Sequence, residues 1–472
     1  MGVSKIRLRS FRGFKDAGIE LKPLTVLLGP NSAGKSSFGH ALAALAHAHR
    51  SGTSEPSLTP RARDAEKWPV DLGDTNDLRT TGCTGPIEIE LATPAGVIVL
   101  GFGGLPQTSE LLLTYISHPS GAESLAIAPH EAPLANTIPV TSVATSAVVP
   151  WQGTISAAVN TVRARRINER QWQDVDAQDQ ALVVITQGLV INAIDHTTGT
   201  SSVLSGVARE ELRAFLQSVV YLRANRRRPS RFYADEVGEP QKLGYSGEFT
   251  TSMLFRRGVE PVSWLVPPAL TDPTIEAASR DWSETKRSLV EAVDYWMRHF
   301  KLAEGVAPMP ATASDRALRL RVTLEGAHEH DITEIGFGVS QIIPVLVAGL
   351  LQGPDGLLIV DLPEAHLHPR PQASVADFFC SLALAGKSTL IETHSEMFFH
   401  RLRVRAAQNP ALLDKIAVYF IDEPKEGLCA MPRLVGLRFE DELKWPEGFL
   451  QEAWEMESLI SAYREAGRRA AK

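Results

Sequence analysis

The sequence predicts an α/β fold with a mixed sheet and an inserted lobe, and three observations carry that expectation. Leu24–Leu28, Leu357–Asp361 and Ser388–Glu392 are short, nearly continuous apolar runs, the pattern of strands buried on both faces. The first of them leads through a glycine-containing loop, residues 29–36, into the Ala- and Leu-rich helix expected at Ser37–His49. Dense secondary-structure signals weaken near residue 105 and return near residue 331, leaving an insertion between two halves of one core.

The composition suits a soluble globular chain: 472 residues, 44% hydrophobic and 22% charged. The longest apolar run, Ile342–Leu351, contains Pro344 and Gly349 and falls short of the roughly 18 residues of a membrane span. The N-terminus opens on a charged, strand-like stretch, Ser4–Arg9, without a signal-peptide core, so a cytoplasmic protein with no membrane partner is expected. Cys83, Cys380 and Cys429 are odd in number and far apart, which argues against a disulfide framework or a zinc site. The net charge of −7 gives no support to nucleic-acid binding over the whole surface. Local clusters remain: Arg223, Arg226, Arg227, Arg228 and Arg231, and Arg163, Arg165, Arg166 and Arg170.

Along the chain, Lys5–Arg9 alternates as a half-buried strand does, and strands are expected around Ile87–Leu91 and Gly96–Phe102. Residues 51–77 are polar and broken by Pro and Gly, and residues 105–160 read as irregular or β-rich. Residues 208–223 read as a helix leading into a strand, residues 281–300 as one amphipathic helix, and Leu318–Leu324 as a strand. Helices are expected after Gly336 and over Gln372–Ala385, a strand at Ala417–Ile421, and a charged helix at Trp454–Ala471. The absence of a heptad array excludes a long coiled coil. The divisions are residues 1–105 and 331–425 for the two parts of the core, 106–330 for the inserted lobe, and 426–472 for a tail.

Gly29-Pro30-Asn31-Ser32-Ala33-Gly34-Lys35-Ser36 fits G-x-x-x-x-G-K-[ST] at every fixed position, between a buried strand and a helix. Its glycines let backbone N–H groups wrap phosphates, Lys35 reaches the β- and γ-phosphates, and the helix start favours their charge. The Ser36 hydroxyl can ligate Mg²⁺, with Asp361, at the end of its strand, opposite. His394 follows a strand at the edge where open sheets bind ligands, and can sense the γ-phosphate or position water. Gly336–Gln341 opens a helix that Ser340 can cap, and it suits a second anion-binding helix start.

These segments, with Ser10–Phe14, the string Asp361–Pro369 and Glu392–Ser395, resemble in their order the ABC-type ATPases of the RecF, SMC and OLD group. Pro363-Glu364-Ala365-His366-Leu367-His368-Pro369 is the most specific part; Tyr221–Tyr233 and Trp445–Phe449 match features of the group more loosely. The resemblance implies ATP and Mg²⁺ as ligands. It places Arg12, Gly29, Asn31, Ser32, Ala33, Gly34, Lys35, Ser36 and Ser37 against the nucleotide, and Ser36 and Asp361 on the metal. Gly338 and Ser340 would make the signature contact across a head-to-head dimer, and His394 would be the switch histidine. The group usually has a Glu directly after the first Walker B acid; here that residue is Leu362, and the nearest carboxylate is Glu364. Glu364 and His394 are therefore the candidate catalytic pair.

The expected function is an ATP-binding, slowly hydrolysing, dimerising ATPase. By analogy with stand-alone heads of the group, it would gate a separate effector such as a nuclease or toxin in anti-phage defence. The alternative is a RecF-like ATPase in repair or replication that binds DNA through Arg223–Arg231. Nuclease activity in this chain is not expected: a Toprim domain needs on the order of 100 residues, and no Asp-x-Asp pair follows His394.

Overall fold

The computed structural model describes residues 2–50, 57–58, 69–70, 72–73, 75–83, 87–104, 206–235, 243–270, 281–311, 317–326, 328–422, 429–438 and 440–441, with the backbone of strands lying between 111 and 195. The expected helix Trp454–Ala471, the Trp445–Phe449 segment and the side chains of Arg163, Arg165, Arg166 and Arg170 lie outside the described residues.

A six-stranded sheet forms the core, in the order Val219–Leu222, Leu357–Asp361, Ser388–Glu392, Leu24–Leu28, Ile416–Ile421, Pro432–Val435. The first five strands run parallel and the last is antiparallel, so the sheet is mixed. Side chains alternate between its faces. Leu27, Tyr221, Ile359, Leu390 and Tyr419 join helices Ser36–Arg50 and Gly206–Ser218 in one apolar cluster. Val26, Leu28, Leu358, Val360 and Ile391 join helices Leu289–His299, Phe337–Leu351, Pro369–Leu384 and Glu396–Gln408 in the other. Covered on both faces, Leu24–Leu28, Leu357–Asp361 and Ile416–Ile421 are buried at every position, which is why their sequences lack polar alternation. The core takes one strand, Val219–Leu222, from within residues 106–330 and one, Pro432–Val435, from within the tail.

A second, antiparallel sheet runs beside it. Lys5–Phe11 pairs with both Phe14–Glu20 and Ile87–Thr93, and Gly96–Gly104 continues the sheet into Leu111–Ser117. The β-rich reading of the region after residue 105 is therefore correct for its described strands.

The single helix expected over residues 281–300 is corrected. Ser283–Ser288 is a strand paired antiparallel with Pro261–Val266, and the helix is Leu289–His299. The boundary is chemical: the Ser288 side chain accepts from the Glu291 N–H while Glu291 reaches back to the Ser288 N–H, a capping box that starts the helix there. Among the described residues the longest helix is Pro369–Leu384, with 16 residues, and no helix is long and apolar enough to cross a membrane.

Candidate functional site

The loop 29–35 leaves the strand Leu24–Leu28 and enters the helix Ser36–Arg50. It turns through positive φ at Gly29 (143°), Ser32 (65°) and Gly34 (95°). A Cβ at Gly29 would collide with the carbonyl oxygen of Ile421, so the close approach of the two strands requires glycine. Above the loop lies a cavity of about 270 Å³ lined by Arg12, Gly13, Ser32, Ala33, Gly34, Lys35, Ser36, Ser37 and Glu392. The sequence thus brings seven of its predicted nucleotide residues to one cavity: Arg12 and the run from Ser32 to Ser37. Gly29 and Asn31 sit in the same loop.

Lys35 is 3% exposed, and its ammonium donates to the Pro30 carbonyl at 2.5 Å. Burial lowers its pKa from the usual lysine value, and the Glu392 carboxylate, 4.0 Å away, opposes that shift. A buried ammonium with so few partners is ready to take an anionic ligand.

Glu392 is a site residue that sequence reasoning missed. It ends its strand in register with Asp361 on the neighbouring one. Burial, then the Asp361 charge, pushes its pKa up to about 7, against the hydrogen bond from Ser36 and the charge of Lys35. Its Oε2 is buried without a hydrogen-bond partner.

Asp361 abuts the loop helix. A Cβ at Gly39 would meet Ile359 at 3.0 Å and Asp361 Oδ1 at 4.0 Å, so this glycine lets the helix lie against the acid. The Tyr221 hydroxyl donates to Asp361 Oδ2 at 2.5 Å, and His40 Nε2 stands 3.6 Å from the same oxygen. His40 Nδ1 is 3.0 Å from Arg12 Nη1, and since a guanidinium only donates, Nδ1 accepts. Tyr221 and His40 were not singled out in the sequence. His40 lies four positions after Ser36 on the same helix, a spacing that could have revealed it.

Leu362 adopts φ 46°, donates its N–H to the Glu392 carbonyl at 2.8 Å, and gives its own carbonyl to Arg226 at 3.2 Å. Glu364 is 6% exposed, and its Oε1 accepts from the Thr393 hydroxyl at 2.6 Å and the His394 N–H at 3.0 Å. It does not line the cavity. The turn through Pro363 sets one Glu364 oxygen to brace the His394 loop, while its Oε2, like that of Glu392, is buried without a hydrogen-bond partner. The His394 ring donates to the Gly29 carbonyl, which ties that loop to the phosphate loop. Burial, then the Lys35 charge, lowers the His394 pKa despite that bond, which favours the neutral ring.

Two further expectations change. Ser340 does not cap its helix: Gly336 is the N-cap, and the Ser340 hydroxyl donates to the Phe337 carbonyl at 2.7 Å from inside the first turns. Gly338 is required within the chain, because a Cβ there would lie 2.6 Å from the His366 carbonyl oxygen. Neither Gly338 nor Ser340 lines the cavity. Of the arginine cluster, Arg226 is 2% exposed and donates to the Asp361 and Leu362 carbonyls, so it cannot serve a DNA surface. Burial pushes its pKa down to about 10 against the charges of Asp361 and Glu364. Arg227, Arg228 and Arg231 are exposed and Arg223 is half-buried.

The residues present fit a magnesium–nucleotide complex. Mg²⁺ takes one or two protein oxygens and completes its shell with phosphates and water; Ser36, which lines the cavity, and Asp361, which does not and whose Oδ2 accepts from Tyr221, would supply two such oxygens. Among the described residues, no cluster of three or more His, Cys, Asp or Glu could hold a metal by itself.

Two family models match the chain. Residues 1–139 match the family described as "AAA ATPase domain", and residues 297–399 match "AAA domain, putative AbiEii toxin, Type IV TA system". No curated protein matches. Solved structures similar to the chain include the SMC head domain from Thermotoga maritima, at 10% identity over 92% of this chain and 99% of that one, with a TM-score of 0.33. Another is the Smc head domain with an extended coiled coil bound to the C-terminal domain of ScpA from Pyrococcus furiosus, at 10% identity over 98% and 99%, with a TM-score of 0.39. The first matched segment holds the phosphate loop and the second holds Asp361 and His394, so both similarities to AAA domains fall on the parts of the chain that build the site.

Proposed function

We propose that this chain is an ATP-binding ATPase head that closes on a second copy of itself around ATP and thereby controls a separate effector. The cavity over Gly29–Ser37 carries the reading: glycine-dictated backbone, a buried lysine and a helix start converge on one pocket. Backbone N–H groups of the loop and Lys35 would bind the β- and γ-phosphates. Arg12 would lie against the nucleotide at the cavity rim. Ser36 and Asp361 would hold Mg²⁺, which when bound neutralises phosphate charge and orients the γ-phosphoryl group. His394 would register whether the phosphate loop is filled, a reading supported by its hydrogen bond to Gly29 and by the Lys35 charge acting on it.

Closure on a partner copy is supported by the place of Gly338 and Ser340. Neither lines the cavity of its own chain, and Gly338 lies against His366 and Leu367. A second head facing the first would bring them to its nucleotide. The toxin–antitoxin wording of the family model over residues 297–399 supports an effector partner and a defence setting.

Calorimetry with ATP and Mg²⁺ tests the binding claim. Lys35→Ala should weaken affinity at least about 100-fold, the loss of a charged phosphate contact; unchanged affinity would show that ATP does not use this loop.

Direct DNA binding is a second reading, favoured by exposed Arg227, Arg228 and Arg231 beside Phe232, which is 55% exposed. Neutralising the three arginines should weaken DNA affinity and flatten its salt dependence. Wild-type protein with no DNA affinity at low salt would remove this reading.

A further inference from the structure

Leu362 leaves the position after Asp361 without a carboxylate, and Glu364, one oxygen of which is held by Thr393 and His394, does not line the cavity. We propose that Glu392 takes the missing role and orients the water that attacks the γ-phosphate. The inference rests on reading the cavity as an ATP site.

The placement of Glu392 comes from the sheet. Its strand lies between the strand that feeds the phosphate loop and the strand that ends in Asp361, so its last side chain emerges between the two halves of the site. Glu392 lines the cavity, and Glu364 does not. Its backbone is fixed on both sides of the carboxylate: its carbonyl accepts from Leu362 N–H at 2.8 Å, and the Thr393 N–H donates to Leu27 O at 3.1 Å.

The two carboxylate oxygens have different surroundings. Oε1 faces the Lys35 ammonium at 4.0 Å, and the carboxylate also receives a hydrogen bond from Ser36. Oε2 is buried with no partner. A carboxylate oxygen kept from bulk water and left without a donor is a strong acceptor site for one ordered water. An attacking water needs such a partner: one of its O–H bonds points to the acceptor, and a lone pair is left facing phosphorus.

In the step, the water oxygen forms a bond to the γ-phosphorus. The bond from that phosphorus to the β,γ-bridging oxygen breaks, and its electron pair stays on ADP. One water proton passes to an oxygen of the released phosphate, so ATP and water become ADP and dihydrogen phosphate. That proton travels by way of the Glu392 carboxylate, which accepts it as the new bond forms and returns it to the phosphate, so Glu392 ends the step unchanged.

The test compares Glu392→Gln, Glu392→Asp, Glu364→Gln and Lys35→Ala in single-turnover hydrolysis and in ATP affinity, with melting curves to confirm folding. Glu392→Gln should slow hydrolysis about 100-fold or more while affinity stays within about threefold. Glu392→Asp should keep part of the rate, and Glu364→Gln should stay within about tenfold of wild type. If Glu392→Gln does not fold, Glu392→Asp serves in its place, with a reduced rate at preserved affinity. The proposal is overturned if the Glu392 variants hydrolyse at the wild-type rate. It is also overturned if they lose rate and affinity in step, or if wild type binds ATP through Lys35 and never hydrolyses it. Lys35→Ala binding ATP like wild type would overturn the ATP-site reading itself, and this inference with it.

Discussion

The Tyr221 hydroxyl donates to Oδ2 of Asp361 at 2.5 Å, and both side chains are buried. Burial, then the adjacent Asp361 charge, holds the phenol well above the ordinary tyrosine range, so it remains a donor at neutral pH. With His40 on the same oxygen and Arg12 behind His40, the acid is held by a line of polar contacts that starts at the cavity rim.

Tyr221→Phe removes one hydrogen bond to a buried carboxylate and changes little else in shape. Urea unfolding should show a loss of about 1.5–3 kcal/mol. A change below about 0.5 kcal/mol would mean that the contact does not hold Asp361 in solution.

Arg226 and Arg228 are separated by one residue and differ in burial. Arg226→Ala leaves the Asp361 and Leu362 carbonyls without their donor and should cost about 3–5 kcal/mol. Arg228→Ala should stay within about 0.5 kcal/mol of wild type. Equal effects in thermal melts would contradict the buried placement of Arg226.

The Lys387 ammonium donates to the Gly349 and Leu350 carbonyls at 3.0 and 2.7 Å, closing the C-terminus of the helix Phe337–Leu351. Burial pushes its pKa down to about 8. Between that value and the unfolded lysine value near 10.4, the unfolded chain binds more protons than the folded one. This residue therefore makes stability rise with pH across that interval. Urea midpoints from pH 7.5 to 10 should show an upward contribution that Lys387→Met removes; an identical profile in the variant would contradict it.

Much of the core was legible because strands covered on both faces are continuous apolar runs. Leu24–Leu28 and Leu357–Asp361 therefore announced themselves, and the glycines of the loop between strand and helix are dictated by close approach. Glu392 was not legible as a site residue because it reads as the polar end of such a run. Only its register with Asp361 brings it to the cavity, and register between strands distant in sequence leaves no local trace. Tyr221 and Arg226 come from an edge strand and the loop after it, so their contact with Asp361 is likewise topological. The polar segment Ser283–Ser288 was drawn into a helix because its strand is two-stranded and largely exposed, without an apolar stripe to mark it.

ATP-driven pairing of two heads is the central claim, and sedimentation velocity tests it most directly. Wild type should sediment as a monomer without nucleotide and as a dimer with ATP and Mg²⁺, while Lys35→Ala and Ser340→Arg each remain monomeric. A mixture of the two variants should recover ATP-dependent dimers, because one composite site then joins an intact phosphate loop to an intact signature helix. Wild-type protein that is saturated with ATP and still sediments as a monomer would contradict the account.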